Sequence, residues 1–216
     1  MNLLNSLLSS DRKRVWSDFA KSRNGVFVSR PLEPAFTLCK YKGWDVLLST
    51  FQDYAPDGAT GFTSLNTTDY TSIQIPYKCP DRFIFKVFFR NAFATLRKKF
   101  GMQDLHTGQP DFDDLNIVQS NMPDRMDLFL NKPLIRDFFF GVTNHLLKVK
   151  KPKLITRERI PRDTGFLWFQ AEGMIADPRT MEAWFDFITM ALDQLVEIGS
   201  ASPNPSNYSL WEAKYF

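Results

Sequence analysis

One segment of the chain reads Arg82-Phe-Ile-Phe-Lys-Val-Phe-Phe89, and its pattern decides the fold class. Successive side chains of a strand point to opposite faces. One face carries Phe83, Phe85, Val87 and Phe89, and the other carries Ile84, Lys86 and Phe88. A strand that is apolar on both faces usually lies centrally in a sheet that is covered on both sides. The segment therefore predicts a central strand in a two-sided sheet.

Further strands are predicted on either side of this segment. Residues 70–77 alternate, with Thr71, Ile73, Ile75 and Tyr77 on one face. Residues 36–41 and 44–51 flank Lys42-Gly43, a typical hairpin turn. Shorter or less regular strands are predicted at 25–29, 115–119, 153–159 and 166–172. Residues 53–66 contain proline and glycine and are predicted to form a loop.

The clearest helix is predicted at 178–198, after an N-capping Asp177 and with Pro178 in its first turn. Its inner face is formed by Met181, Trp184, Phe185, Ile188, Leu192 and Leu195. The chain is predicted to open with a helix in which Leu4, Leu7 and Leu8 share one face, followed by a helix that starts at Asp11, with Ser10 as the cap, and ends at Asn24-Gly25. Other helices are predicted at 91–100, from a cap at Ser120 or Asn121 onward, and at 133–140. The helices around 90–100 and 122–140 join the long helix in packing on the sheet. We therefore predict an α+β fold with a mainly antiparallel sheet, packed by a long C-terminal helix and shorter helices.

Length and composition fit one soluble domain. The chain has 216 residues, 21 phenylalanines and a net charge of +3, which does not by itself indicate a polyanionic partner. Cys39 and Cys79 have no local partner motif and are predicted to be buried, reduced thiols. Neither a signal peptide nor an apolar run long enough to span a membrane is recognisable. These features predict a cytoplasmic protein.

The chain is predicted to divide into an α+β domain, residues 1–199, and a linker with an aromatic tail, residues 200–216. The tail ends in Tyr208-Ser-Leu-Trp-Glu-Ala-Lys-Tyr-Phe216, which is more apolar than a free tail should be. We expect the tail to pack on its own domain or on a second copy of the chain. In the second case the protein would be a homodimer.

An acidic segment is the most conspicuous candidate site. Asp104, Asp111, Asp113 and Asp114 lie close to His106, around a turn signal at 107–110. Carboxylates and an imidazole suit a divalent cation, so Asp104, His106, Asp111 and Asp113 are candidate metal ligands. The alternative is structural: Asp104 and Asp113 would accept backbone hydrogen bonds around Thr107-Gly108, as Asp does in turns. The sequence leaves both open.

Two other features are weaker candidates for a functional site. His145 has no Ser or Cys motif near it, so a capping or surface role at a helix end is expected. Residues 148–162 are rich in Lys and Arg and could meet phosphate, although a solvated edge strand explains the charges equally well. No nucleic-acid fold signature accompanies them, and nucleic-acid binding is not favoured.

Several short motifs resemble a family of uncharacterised bacterial proteins. They are Tyr70-Thr-Ser-Ile73, then Phe100-Gly-Met-Gln-Asp104 with Thr107-Gly108 and Phe112-Asp113, then Val118-Gln-Ser-Asn121. The resemblance spans roughly residues 24–198 and implies bacterial origin, but no activity that could be carried over. Some similar proteins have an N-terminal membrane segment, which is not recognisable here.

These observations favour a non-catalytic binding or scaffold module with no cofactor and an unknown partner. Two alternatives stay open. One is a metal-dependent hydrolytic enzyme that uses the carboxylates between Asp104 and Asp114. The other is a protein that associates with a polyanion or a membrane surface through residues 148–162.

Overall fold

The structure, a computed structural model, describes residues 3–30, 34–55, 66–90, 104–150 and 160–211. These residues form five helices and nine strands. In chain order they are α1 (Leu3–Ser22), β1 (Val26–Val28), β2 (Phe36–Tyr41), β3 (Trp44–Ala55), β4 (Asn66–Lys78), β5 (Phe85–Phe89), β6 (Asp104–Leu105), α2 (Pro110–Leu115), β7 (Asn116–Ser120), α3 (Pro123–Leu130), α4 (Pro133–Phe140), β8 (His145–Lys150), β9 (Thr164–Glu172) and α5 (Pro178–Glu197).

All nine strands belong to one sheet in the order β1-β2-β3-β4-β9-β8-β5-β7-β6. Every neighbouring pair is antiparallel. β5 lies inside the sheet between β8 and β7, as its apolar pattern on both faces predicts. The predicted α+β fold with a mainly antiparallel sheet and a long C-terminal helix is confirmed.

The helices cover the first face of the sheet and form the main core with it. Ile73, Ile75 and Tyr77 of β4 are fully buried there. The predicted inner face of α5 is confirmed, since Met181, Trp184, Phe185, Ile188, Leu192 and Leu195 are all buried. Asp177 caps this helix by accepting a hydrogen bond from the Thr180 amide at 2.7 Å.

Part of the second face is covered by the chain after α5. Leu210 is buried in a separate apolar cluster with Phe36, Leu38, Leu47 and Phe166. The Leu210 amide donates a hydrogen bond of 2.8 Å to Asp45, whose other oxygen accepts one of 2.7 Å from Lys40. Residues 208–211 thus pack on their own sheet. Residues 212–216 lie outside the described residues, and the division into 1–199 and 200–216 stays a prediction.

The predicted turns take the expected backbone form. Lys42 and Gly43 have φ values of 47° and 93°, which is the type I′ geometry that matches the twist of a hairpin. Asn24, with φ of 50°, follows the end of α1, as the Asn24-Gly25 pair predicts. Both cysteines are buried and free.

Several sequence predictions need correction. Ser10 does not cap a helix, because α1 runs through it without a break. Residues 53–55 extend β3 rather than starting a loop, since they pair with residues 66–68 of β4. Asn121 does not cap α3, because its side chain bonds the backbone of Ile84 and Arg82 and so ties the entry of β5 to the end of β7. Met122 precedes α3 without a side-chain cap.

Three elements are not predicted from the sequence, namely β6, α2 and β8. The predicted helix at 91–100 and strand at 153–159 lie outside the described residues. Within the part of the chain that is described, none of the helices has the length and apolarity that a membrane crossing requires.

The packing of α5 gives a direct test of the core. The Phe185 ring lies 5.6 Å from the Phe19 ring and 6.2 Å from the Tyr41 ring, measured between centroids. Replacing Phe185 with Ala should lower the free energy of unfolding by about 3–5 kcal/mol, because a large buried ring is lost. Denaturant unfolding measures this, with Asp186→Ala on the exposed side of the same helix as the control. Equal losses in the two variants would mean that the helix buries a different face.

Candidate functional site

The structure spreads the four candidate metal ligands over three elements. Asp104 lies on the edge strand β6, and its carboxylate accepts a hydrogen bond of 2.9 Å from the Gln119 amide group. His106 is exposed in the loop that follows, and Asp111 is exposed in the first turn of α2. Asp113 is half-buried in the same helix.

Asp113 holds the turn that precedes α2. Its two carboxylate oxygens accept hydrogen bonds of 3.1 Å and 3.0 Å from the Thr107 amide, and one of them accepts a bond of 2.8 Å from the Thr107 hydroxyl. Gly108 takes a positive φ of 73° at this turn. The structural interpretation of the acidic segment is therefore confirmed for Asp113, whereas Asp104 bonds a side chain rather than the backbone.

The residues do not converge as a metal centre. Over the described ranges of the chain, no three His, Cys, Asp or Glu side chains come together in a way that could hold an ion. A surface cleft of about 730 Å³ faces His106, Asp124, Asp127 and Arg136, but Asp104, Asp111 and Asp113 are not among its described lining residues. A metal at Asp104, His106, Asp111 and Asp113 stays a hypothesis from the sequence.

His145 lies in a different environment from the one predicted. It begins β8 and is fully buried, not exposed at a helix end. Its Nδ1 lies 2.6 Å from the Val142 carbonyl oxygen and its Nε2 lies 2.8 Å from Asn116 Oδ1. Burial lowers the pKa of His145 to about 4. Burial likewise raises the pKa of the Cys39 thiol to about 12, which suppresses the reactive thiolate.

Strand pairing assembles a basic surface on the second face of the sheet. Lys86 of β5 is paired directly with Lys148 of β8, and Lys148 is paired directly with Trp168 of β9. Lys150 lies two residues after Lys148 and therefore on the same face. We call Lys86, Lys148, Lys150 and Trp168 the lysine face.

The geometry of the lysine face brings its ammonium groups together. The Nζ atoms of Lys148 and Lys150 lie 5.6 Å and 4.8 Å from the centroid of the Trp168 ring, within the range of cation–π attraction. The Trp168 indole nitrogen donates a hydrogen bond of 2.9 Å to Gln170. Lys86 is only 8% exposed, and the other three residues are half-buried.

This placement has an electrostatic cost. Burial, together with the positive charges of Lys150 and Lys86, lowers the pKa of Lys148 to about 8. Burial also lowers the pKa of Lys86. Like charges directly opposite each other on neighbouring strands destabilise a sheet. The positive charge of Lys148 at the lysine face therefore lowers the stability of the folded chain.

The sequence singled out only part of this surface. Residues 148–162 were recognised as basic, and one interpretation placed them on a solvated edge strand. That interpretation is wrong for Lys148 and Lys150, because β8 lies inside the sheet between β9 and β5. The alternation in β5 does place Lys86 on the second face, but nothing local indicates that β5 pairs with β8.

Comparison with known proteins shows the fold and no more. No family model matches the chain, and no curated protein matches it. Among solved structures, the crystal structure of the mycobacterial trehalose monomycolate transport factor A, TtfA, is similar with a TM-score of 0.51 and 10% sequence identity. The match covers 89% of this chain and 98% of that chain. The chain is thus similar to TtfA in fold over most of its length.

The turn at Thr107 can be tested by mutation. Asp113→Ala should lower the free energy of unfolding by about 1–3 kcal/mol, because the Thr107 amide loses a charged acceptor. Asp111→Ala removes a carboxylate from the same helix without such bonds and should change stability by no more than about 0.5 kcal/mol. Denaturant unfolding of both variants provides the comparison. If the two losses are alike, Asp113 does not hold the turn.

The lysine face predicts an unusual dependence of stability on pH. The pKa of Lys148 is about 8 in the folded chain, against 10.5 for an ordinary lysine. The cost of its charge is therefore fully present below pH 8 and disappears as the pH rises towards 10.5. Lys148→Met should be more stable than the wild type at pH 7, by about 1–3 kcal/mol, and this advantage should shrink across that interval.

Unfolding free energies at several pH values in a chloride buffer measure this advantage. Lys13→Met, which alters an exposed lysine on α1, is the control and should show no such trend. A constant difference between wild type and Lys148→Met from pH 7 to pH 10 would contradict the assignment.

Proposed function

We infer that this protein is a non-catalytic binding module that holds an anionic ligand on the lysine face. One observation carries the proposal: Lys148 lies between Lys86 and the Trp168 ring on an interior strand, with Lys150 on the same face. Charged lysines rarely occupy such positions unless their charge is used, and strongly shifted pKa values are typical of functional sites.

An anion would offset the repulsion within this surface. Bound negative charge favours the ammonium form of Lys148 and compensates for the proximity of Lys86 and Lys150. The half-buried setting weakens screening by water and strengthens each attraction. Ligand binding should therefore stabilise the folded chain, since any ligand that binds only the folded state does so.

A binding role agrees with the state of the other ionisable groups. The carboxylate of Asp113 is bonded to Thr107, His145 is buried, and the Cys39 thiol is held protonated. Each of these groups is held by a structural contact or by burial rather than presented to a substrate. Among the residues that the structure describes, no geometric observation favours the hydrolytic alternative, which stays a hypothesis from the sequence.

The third interpretation of the sequence is related to this proposal. Lys148 and Lys150 begin the 148–162 segment that suggested a polyanion or a membrane surface as the partner. Residues 151–159 lie outside the described residues, so the proposal rests on the two lysines of β8 together with Lys86. TtfA is by name a transport factor, and a non-catalytic role in this chain is compatible with a shared fold. Homodimer formation and a cytoplasmic location remain predictions.

A melting experiment with multivalent anions tests the proposal. Citrate and sulfate, at ionic strength matched with sodium chloride, should raise the melting temperature of the wild type by several degrees. Both anions also stabilise proteins in general by exclusion from the surface, so the variant comparison decides. Lys148→Met should keep only that general effect, and the Lys13→Met control should respond like the wild type. Equal responses in all three proteins would refute anion binding at the lysine face.

A further inference from the structure

The buried ring of His145 belongs to a network of three close polar contacts. Its Nδ1 lies 2.6 Å from the Val142 carbonyl oxygen, and its Nε2 lies 2.8 Å from Asn116 Oδ1. The Asn116 side-chain nitrogen donates a hydrogen bond of 3.1 Å to the Phe112 carbonyl oxygen of α2. We call Val142, His145, Asn116 and Phe112 the His145 network. It connects the start of β8 to α2 through β7.

A count of protons shows that the network depends on the charge of the ring. Both of its ends are carbonyl oxygens, which only accept hydrogen bonds, so the three contacts require three protons. The Asn116 amide supplies one of them, because it donates on one side and accepts on the other. An imidazolium ring supplies two, whereas a neutral imidazole supplies one. All three hydrogen bonds therefore form only when His145 is protonated.

A neutral ring must give up one of the three hydrogen bonds. The Val142 contact is the shortest and involves the backbone, so the neutral ring keeps its proton on Nδ1. Its Nε2 lone pair then repels the Asn116 oxygen unless the amide turns round. The turned amide donates to Nε2 and loses its hydrogen bond to Phe112. The Phe112 oxygen still accepts a hydrogen bond from the Asn116 backbone amide, so it is not left without a donor.

We propose that His145 and Asn116 form a proton-dependent switch at the C-terminal end of α2. When Nε2 takes up a proton, the Asn116 side chain bonds both the ring and Phe112 and so ties α2 to β8. When Nε2 loses the proton, the amide turns and this tie is released. Asp113 of the same helix bonds Thr107, which lines the surface cleft, so the switch acts on one wall of that cleft.

The ring has no charged neighbour that would control it instead. It packs against the rings of Phe89 in β5 and Phe139 in α4, with centroids 5.8 Å and 4.8 Å away, and it is paired directly with Ala171 of β9. Among the described residues, no ionisable side chain bonds the ring. Those on the surrounding elements are directed elsewhere: Lys86, Lys148, Lys150 and Glu172 lie on the opposite face of the sheet, Arg90 bonds the Asp114 carbonyl, Arg136 bonds the Leu130 carbonyl, Asp113 bonds Thr107, and Asp111, Asp114 and Asp137 are exposed.

Burial and hydrogen bonding act on the ring in opposite directions. Burial without a counter-charge lowers the pKa of His145 to about 4, and the Val142 carbonyl opposes this effect. The Asn116 oxygen also favours the charged ring, because it accepts a hydrogen bond from Nε2 only when that nitrogen is protonated. We therefore expect the switch to operate between the lowered value of about 4 and the ordinary value of 6.5.

NMR titration of the full chain tests the switch, because the chain has only two histidines. The signals of the Asn116 side-chain amide and of the α2 backbone around Phe112 should shift with the same midpoint as the His145 ring. They should not follow His106, which is exposed and lies outside the network. Asn116 signals that stay constant through the His145 titration would overturn the proposal. So would a His145 ring that stays neutral down to the pH of acid unfolding.

Asn116→Asp is the discriminating variant. It places a carboxylate beside Nε2, so it should raise the pKa of His145 by about 1–3 pH units. Asn204→Asp adds the same charge at an exposed position after α5 and should leave the pKa of His145 unchanged. Melting curves establish that both variants are folded, and the wild-type titration decides alone if Asn116→Asp does not fold. Equal effects of the two substitutions would show that Asn116 does not control the ring, and the proposal would fail.

Discussion

The register between β5, β8 and β9 is the constraint on which the rest of this structure depends. Val87, Leu147 and Phe169 form one row across these strands and are fully buried against the helices. Because side chains alternate, the next row must point to the opposite face. A slip of one residue would bring lysines into the helix-covered core, so the apolar row locks the register. The adjacency of Lys86, Lys148 and Trp168 follows from that lock.

The two faces of the sheet consequently serve different purposes. The first face buries the large rings against α5 and the shorter helices. The second face is apolar where Leu210 and its neighbours cover it and basic farther along. The boundary between the two regions runs along β9, where Phe166 contacts the Tyr208 ring at 5.7 Å and is paired directly with Lys150. The chain after α5 thus lies next to the lysine face, on the side where the sheet surface is apolar.

The features that the sequence predicts correctly depend on residues that are close together in the chain. The periodicity of α5, the Lys42-Gly43 turn and the two-faced pattern of β5 depend on neighbouring residues, and all three are present in the structure. β8 was missed because its six residues, His145-Leu-Leu-Lys-Val-Lys150, are too short to show a clear period after a helix. The partnership of β5 with β8 joins segments that are distant in sequence, and a single chain carries no signal for it.

The acidic segment shows that residues close in sequence can lie on different structural elements. Asp111 and Asp113 lie in α2, a helix of six residues, where successive side chains diverge by about 100° around the axis. Asp104 lies on β6 and bonds Gln119. The turn signal at 107–110 was recognised, but the helix that Pro110 begins was not, and that helix determines where each carboxylate points.

The central claim is that strand pairing inside the sheet holds Lys148 beside Lys86 and Lys150, and that an anion binds at this position. NMR titration of the Lys148 ammonium group tests it most directly, with and without inorganic phosphate. We expect a pKa of about 8 for the unliganded chain, and a clear upward shift when phosphate is added. A pKa close to the ordinary 10.5 that does not respond to phosphate would contradict the account.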